Sequence, residues 1–233
     1  AREVPVAVAF SDVALYSGDL AGAATLARHF IEAARSPAMR ALCHLLLAHL
    51  ALAGGNRAAA WKALEQAEPL DHAHALETRG LFAALPFVVV PPAEVARIRD
   101  SILEWDADAV APSGFLVFAM HNSLHPHLRR YLLALLEARL GNLAAADTHA
   151  EALAALAAPP GATLQEELLG GARARIAWAR GEPEAALAIL EAGRSEAWFQ
   201  LTVASPFHSQ AFERFMRAEL LRELGREEEA RGW

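Results

Sequence analysis

The sequence predicts an all-α fold, an α-solenoid of about six stacked helical hairpins. Three observations carry that expectation. Alanine and leucine, the strongest helix formers, supply much of a hydrophobic fraction of 55%. Aromatic residues make up only 7%, and β-branched runs are scarce. A glycine also recurs every few tens of residues with an alanine five positions later: Gly18/Ala23, Gly55/Ala60, Gly141/Ala146, Gly181/Ala186 and Gly225/Ala230. Seven positions before each glycine stands a small residue, Ser11, Ala48, Ala134, Ala174 or Ala218. A small side chain on each helix lets the pair cross closely, and glycine makes the turn.

The clearest hairpin spans residues 124–157. Pro126 fits a first helical turn, where its missing N–H costs nothing. Leu128, Tyr131, Leu132, Leu135 and Leu136 recur at helical spacing and predict one apolar stripe. Gly141 ends the helix and Asn142 is expected to cap the next by accepting from its N–H groups. Ala145, Ala146, Ala150, Leu153 and Leu156 continue until Pro159-Pro160-Gly161 stops them.

The other hairpins are predicted at about 6–34, 37–67, 71–105, 163–191 and 206–233, all within one repeat domain covering 1–233. In the first, Leu26, Phe30 and Ile31 form the apolar face of the second helix. The next has Leu42, Leu45, Leu46 and Leu50 facing Trp61 and Leu64 around a Gly54-Gly55-Asn56 turn. Asp71 is expected to cap a helix ending near Ala84. The Leu85–Pro92 run, LPFVVVPP, predicts an extended link before a helix from Pro92 to about Trp105. Residues 106–123 and 194–205 are further irregular links, the former with a helical turn at Phe115–Met120. Ser205-Pro206 reads as an N-cap and first residue of a helix reaching Leu224.

A formal net charge of −7 argues against a general nucleic-acid or anionic-membrane surface. Lys62 is the only lysine, so nearly all basic residues are arginine, read as a genome-composition signature rather than an anion-binding one. Cys43 stands alone, which excludes an internal disulfide and, in the apolar run Ala41–Leu52, reads as a buried structural thiol. No segment reaches the roughly 20 apolar residues of a membrane span. The chain opens on Ala1 without methionine or signal pattern and stops on Trp233 as a helix begins. A cytoplasmic piece of a larger protein is the expectation.

Small residue, glycine turn and alanine in Ala134…Gly141-Asn142…Ala146, Ser11…Gly18-Asp19…Ala23 and Ala48…Gly55-Asn56…Ala60 resemble the tetratricopeptide repeat family. The resemblance implies a right-handed solenoid whose concave groove is lined by the first helix of each hairpin. Carried over from each turn glycine, that register places Asp12, Tyr16, His49, Tyr131, Arg139, Arg175, Trp178, Glu219 and Arg222 on the groove. More narrowly, LHPHLRRYLLALLEARLGN and SPFHSQAFERFMRAELLRELGREEEA are similar to repeat regions following bacterial serine/threonine kinase domains, and to regions of large bacterial transcriptional activators. The chain itself lacks the kinase motifs: a glycine-rich loop before a catalytic lysine, His-Arg-Asp and Asp-Phe-Gly.

Candidates for chemistry are weaker than their structural readings. His121, His125 and His127, with His72 and His74, have metal-ligand chemistry but no nearby cysteine or carboxylate to complete a set, and read as capping and packing residues. His44 and His49 lack the glutamate of a zinc-protease helix. Cys43 and His44 are adjacent on a helix and do not face each other. Gly170-Gly171 lacks the Gly-Lys-Ser/Thr ending of a phosphate loop and reads as close helix packing. Trp178, Trp198, Phe199, Phe207, Phe212 and Phe215 read mainly as core. No nucleophile, base and orienting group assemble, so no enzyme, metal or cofactor is expected. The expected function is docking of a peptide, a partner protein or another domain of the same protein. The alternative is a small-molecule sensor controlling an attached effector.

Overall fold

The computed structural model describes residues 17–34, 36–109, 121–157, 163–193 and 206–233. These residues are helical and include no strand, as an alanine- and leucine-rich chain requires. The helices are α1 (Leu20–Ala33), α2 (Pro37–Ala53), α3 (Arg57–Ala67), α4 (His72–Ala84), α5 (Pro92–Glu104) and α6 (His125–Arg139). They continue with α7 (Leu143–Ala154), α8 (Thr163–Ala179), α9 (Pro183–Ala192), α10 (Ala211–Glu223) and α11 (Glu227–Ala230), and a 3-10 turn at Pro206–Ser209 precedes α10. No helix of the described residues is long and apolar enough to cross a membrane. The chain divides into two compact units, Ala1–Phe82 and Ala83–Trp233.

The turns follow directly from the glycines. Gly18, Gly55, Gly141, Gly181 and Gly225 all have φ between 74° and 80°, a left-handed conformation that strains any side chain. Four of them close the same hydrogen-bond pattern. Asn56, Asn142, Glu182 and Arg226 donate their backbone N–H to the carbonyls of Ala51, Glu137, Ala177 and Leu221 at 2.8–3.1 Å. The small residues of the first four turns pack as the spacing predicts, with Ala23, Ala48, Ala60, Ala134, Ala146, Ala174 and Ala186 fully buried, whereas Ala218 and Ala230 at the last turn are only partly buried. Ser11 lies outside the described residues, as does the first helix of the hairpin expected at 6–34.

In the first unit α2 packs against both α1 and α3. Ala27, Met39 and Cys43 form one core cluster where α1 meets α2, flanked by Phe30, Ile31, Leu42, Leu46 and Leu47. Burial pushes the Cys43 thiol up to about 11, the inert state the sequence predicts. Asp19 and Asn56 cap the helices after their turns, accepting from the N–H of Gly22 at 2.7 Å and of Ala59 at 3.0 Å. Asp71 caps α4 in the same way through His74 at 3.2 Å.

In the second unit α6 is the central element, packed against α5, α7 and α8. The expected stripe of Leu128, Tyr131, Leu132, Leu135 and Leu136 is buried. So are Leu133, Ala134, Glu137 and Ala138, which makes the last half of α6 buried on all sides. The α7–α8 contact is built from Ala146, Ala150 and Ile176 with Ala138. Three expectations need correction here. Asn142 does not cap α7; its side chain turns back and donates to Glu137 Oε2 at 2.8 Å. Leu85–Val88 is a turn rather than an extended link, closed by the Val88 N–H on the Leu85 carbonyl at 3.1 Å. The last long helix starts at Ala211 rather than Pro206, because Gln210 adopts a left-handed φ of 49° after the 3-10 turn.

Candidate functional site

Arginines on the helices of the second unit hold backbone. Helix ends leave carbonyls without intrahelical partners, and a guanidinium fork satisfies several at once. Arg129 donates to the carbonyls of Ile102 and Leu103 at the end of α5, at 3.0 and 2.5 Å. Arg217 on α10 donates to the Leu190 carbonyl of α9. Arg139, at the end of α6, donates to three carbonyls at once: Ala83 at 2.8 Å, Leu85 at 2.5 Å and Val88 at 2.8 Å.

That last grip fixes the turn between α4 and α5. Val88 and Val90 point inward and are buried. Phe87 and Val89 point outward and are 58% and 82% exposed, among the few large apolar side chains of the described residues that are. Phe87 meets Phe215 of α10 edge-on at 4.8 Å. The result is an apolar pair held to solvent by a guanidinium beneath it.

Arg175 on α8 behaves differently. Its guanidinium lies over the Trp178 ring at 5.6 Å. Its Nε is buried without a hydrogen-bond partner. Burial, and then the positive charge of Arg139, push its pKa down from the ordinary arginine value. The indole beneath it is fixed from the other side, since Trp178 Nε1 donates to Glu223 at 2.8 Å.

The remaining groove candidates divide by surroundings. Asp12 and Tyr16 lie outside the described residues. His49 is half-buried against the Phe82 ring at 4.9 Å, and burial pulls its pKa down to about 4, so it is neutral. Tyr131 is fully buried and donates to Glu213 of α10 at 2.5 Å. Desolvation raises the Tyr131 pKa well above its ordinary value and raises that of the Glu213 carboxyl too. Gly171 of α8 makes room for this bond: a Cβ there would lie 2.3 Å from Glu213 Oε1. Glu219 and Arg222 pair with each other at 2.7 Å on the exposed side of α10. The geometry thus brings Arg139, Arg175 and Trp178 together. It withdraws the Tyr131 hydroxyl into the core, where it is spent on Glu213, and commits three hydrogen bonds of the Arg139 fork to backbone carbonyls.

One feature escapes a sequence reading. Glu137 is buried on α6 and held by Arg99 Nη1 at 2.7 Å and by Asn142. Nothing in the run LLALLEARL marks that glutamate as buried, beyond its place inside an apolar helix. Phe87 and Val89 do carry a signal, an apolar run between prolines where a loop is usually polar. Of the histidines, His125 meets Asn122 Oδ1 at 3.2 Å and stacks edge-on against Trp105 and His121. His127 is buried, and desolvation lowers its pKa. His72 lies 3.6 Å from Glu68 and His74 2.9 Å from Asp71. No family model matches the chain, and neither curated proteins nor solved structures give a match.

Proposed function

We propose that this chain is a non-catalytic docking module, a tetratricopeptide-like α-solenoid of a larger bacterial regulatory protein that binds a protein segment. The observation that carries the proposal is the clamped turn at Leu85–Val88. A polar anchor of three hydrogen bonds from Arg139 fixes a loop that leaves Phe87 and Val89 in water. Exposed apolar side chains cost solubility, and a rigid pair loses little entropy on binding. Anchors of this kind dominate protein interfaces, with Phe215 as an adjoining wall. The repeated glycine turns support the hairpin-repeat reading. That architecture presents first helices side by side, an arrangement suited to an extended segment.

Photo-crosslinking tests the proposal. A photoreactive residue at position 87 or 89 should trap a protein adduct in cell lysate. The same residue at exposed Glu184 on α9 should trap none. Equal trapping at all three positions would remove the basis for docking at this turn.

A further inference from the structure

We infer that Arg175, seated on Trp178, is an anion-receiving subsite for an acidic side chain of the docked segment, so that the segment carries a carboxylate beside an apolar residue. This rests on the docking reading above. The observation is a missing partner. Arg129, Arg139 and Arg217 of the second unit each reach a backbone carbonyl, and Arg99 and Arg180 reach carboxylates. Arg175 reaches neither among the described residues, although its Nε is buried. Arginine does not shed its proton in a protein, so the site keeps a half-buried permanent cation. The charge that acts on it is another cation, Arg139, whose Nη1 and Nη2 hold the turn that presents Phe87.

Two guanidiniums in a partly desolvated place repel each other, and an incoming anion relieves both. The Trp178 indole lies 5.6 Å from the Arg175 guanidinium, and its Nε1 is held by Glu223. A planar guanidinium fork matches a planar carboxylate in a bidentate pair. The same Arg139 links this cation to the turn bearing Phe87 and Val89. A segment with an aromatic or aliphatic residue next to aspartate or glutamate satisfies both features at once.

The test uses the full chain and three probes: N-acetyl-Phe-Glu-amide, its glutamine counterpart, and inorganic phosphate. The readouts are the Arg175 Nε–Hε resonance and Trp178 fluorescence. The glutamate peptide should shift both saturably, the glutamine peptide at least tenfold more weakly, and Arg175→Met should abolish the response while Arg175→Lys keeps part of it. The inference is overturned if the glutamate and glutamine peptides behave alike, if neither gives a saturable shift, or if phosphate binds more tightly than the glutamate peptide. Failure here is separable from failure of docking. A crosslinked partner whose affinity falls with Phe87→Ser and Val89→Ser but not with Arg175→Met keeps the docking surface and removes the subsite.

Discussion

Methionine in place of Arg99 isolates the charge buried on α6. Glu137 has a side chain only 5% exposed, and Arg99, 20% exposed, is its one ionic partner among the described residues, at 2.7 Å. Removing Arg99 leaves the carboxylate with Asn142 alone, which donates one neutral hydrogen bond at 2.8 Å. Breaking a buried pair from one side costs about 3–5 kcal/mol, because the remaining charge stays desolvated. The surviving bond to Asn142 offsets about 1 kcal/mol of this, so Arg99→Met should destabilise by about 2–4 kcal/mol. The contact of Arg99 with Asp100 adds little, since Asp100 is 55% exposed. Replacing both partners, Arg99→Met with Glu137→Met, removes the buried charge itself and should return stability to within about 1 kcal/mol of the parent. Urea denaturation followed by circular dichroism gives all three values, and the cycle should show a coupling of about 2–3 kcal/mol. A double variant as unstable as the sum of its singles would refute the reasoning, because the cost would then lie in lost packing rather than in a stranded carboxylate.

Neighbouring glycines on α8 should respond in opposite directions. Gly170 has open space where a Cβ would stand, so Gly170→Ala should gain about 0.5–1 kcal/mol from helix propensity. Gly171→Ala should lose about 1–2 kcal/mol in the same denaturation assay, because the new methyl would displace Glu213 from Tyr131. Arg139→Met should release the amides of residues 85–90 to hydrogen exchange and lower stability by about 2–3 kcal/mol, with Arg139→Lys falling between, since an ammonium does not reproduce the fork. Two groups give opposite pH limbs. The Glu213 carboxyl is raised by burial, so its contribution is complete below the ordinary value of 4.5 and is lost as pH climbs through the raised one; Glu213→Gln should flatten that loss. His49 is pulled by burial from 6.5 to about 4, so its contribution is present above 6.5 and disappears as pH falls toward 4; His49→Gln should flatten the acid limb in a thermal-melt series.

Turn chemistry was the most legible part of this chain. A left-handed residue after a helix is costly for anything but glycine, so Gly18, Gly55, Gly141, Gly181 and Gly225 announce their own conformation. The buried alanines five positions after the first four, Ala23, Ala60, Ala146 and Ala186, follow from the close crossing those turns impose. Side-chain destinations were less legible. Asn142 has the right type and place for a cap, but its side-chain N–H donates to the charged Glu137, which turns the amide away from the helix N–H groups. Tyr131 and Arg139 both lie on the first helix of their hairpin, yet one is drawn inward by Glu213, and the other by carbonyls of residues 83–88. Those partners are 82 and about 50 positions away in the chain, so helical register alone does not reveal them. Gln210 breaks the helix expected from Pro206 by a local left-handed turn that Ser-Pro does not announce.

The most direct test of docking at the clamped turn is a calorimetric titration of the partner trapped at position 87, using the parent chain and the Phe87→Ser/Val89→Ser double variant. Both side chains are already mostly in water, so the variant should melt within about 2 °C of the parent, as surface changes well under 1 kcal/mol do. Burying a phenylalanine and a valine at an interface contributes about 1.5–3 kcal/mol each, so affinity should fall at least tenfold. Equal affinity for the two proteins would contradict the account and leave Phe87 and Val89 as bystanders on the surface.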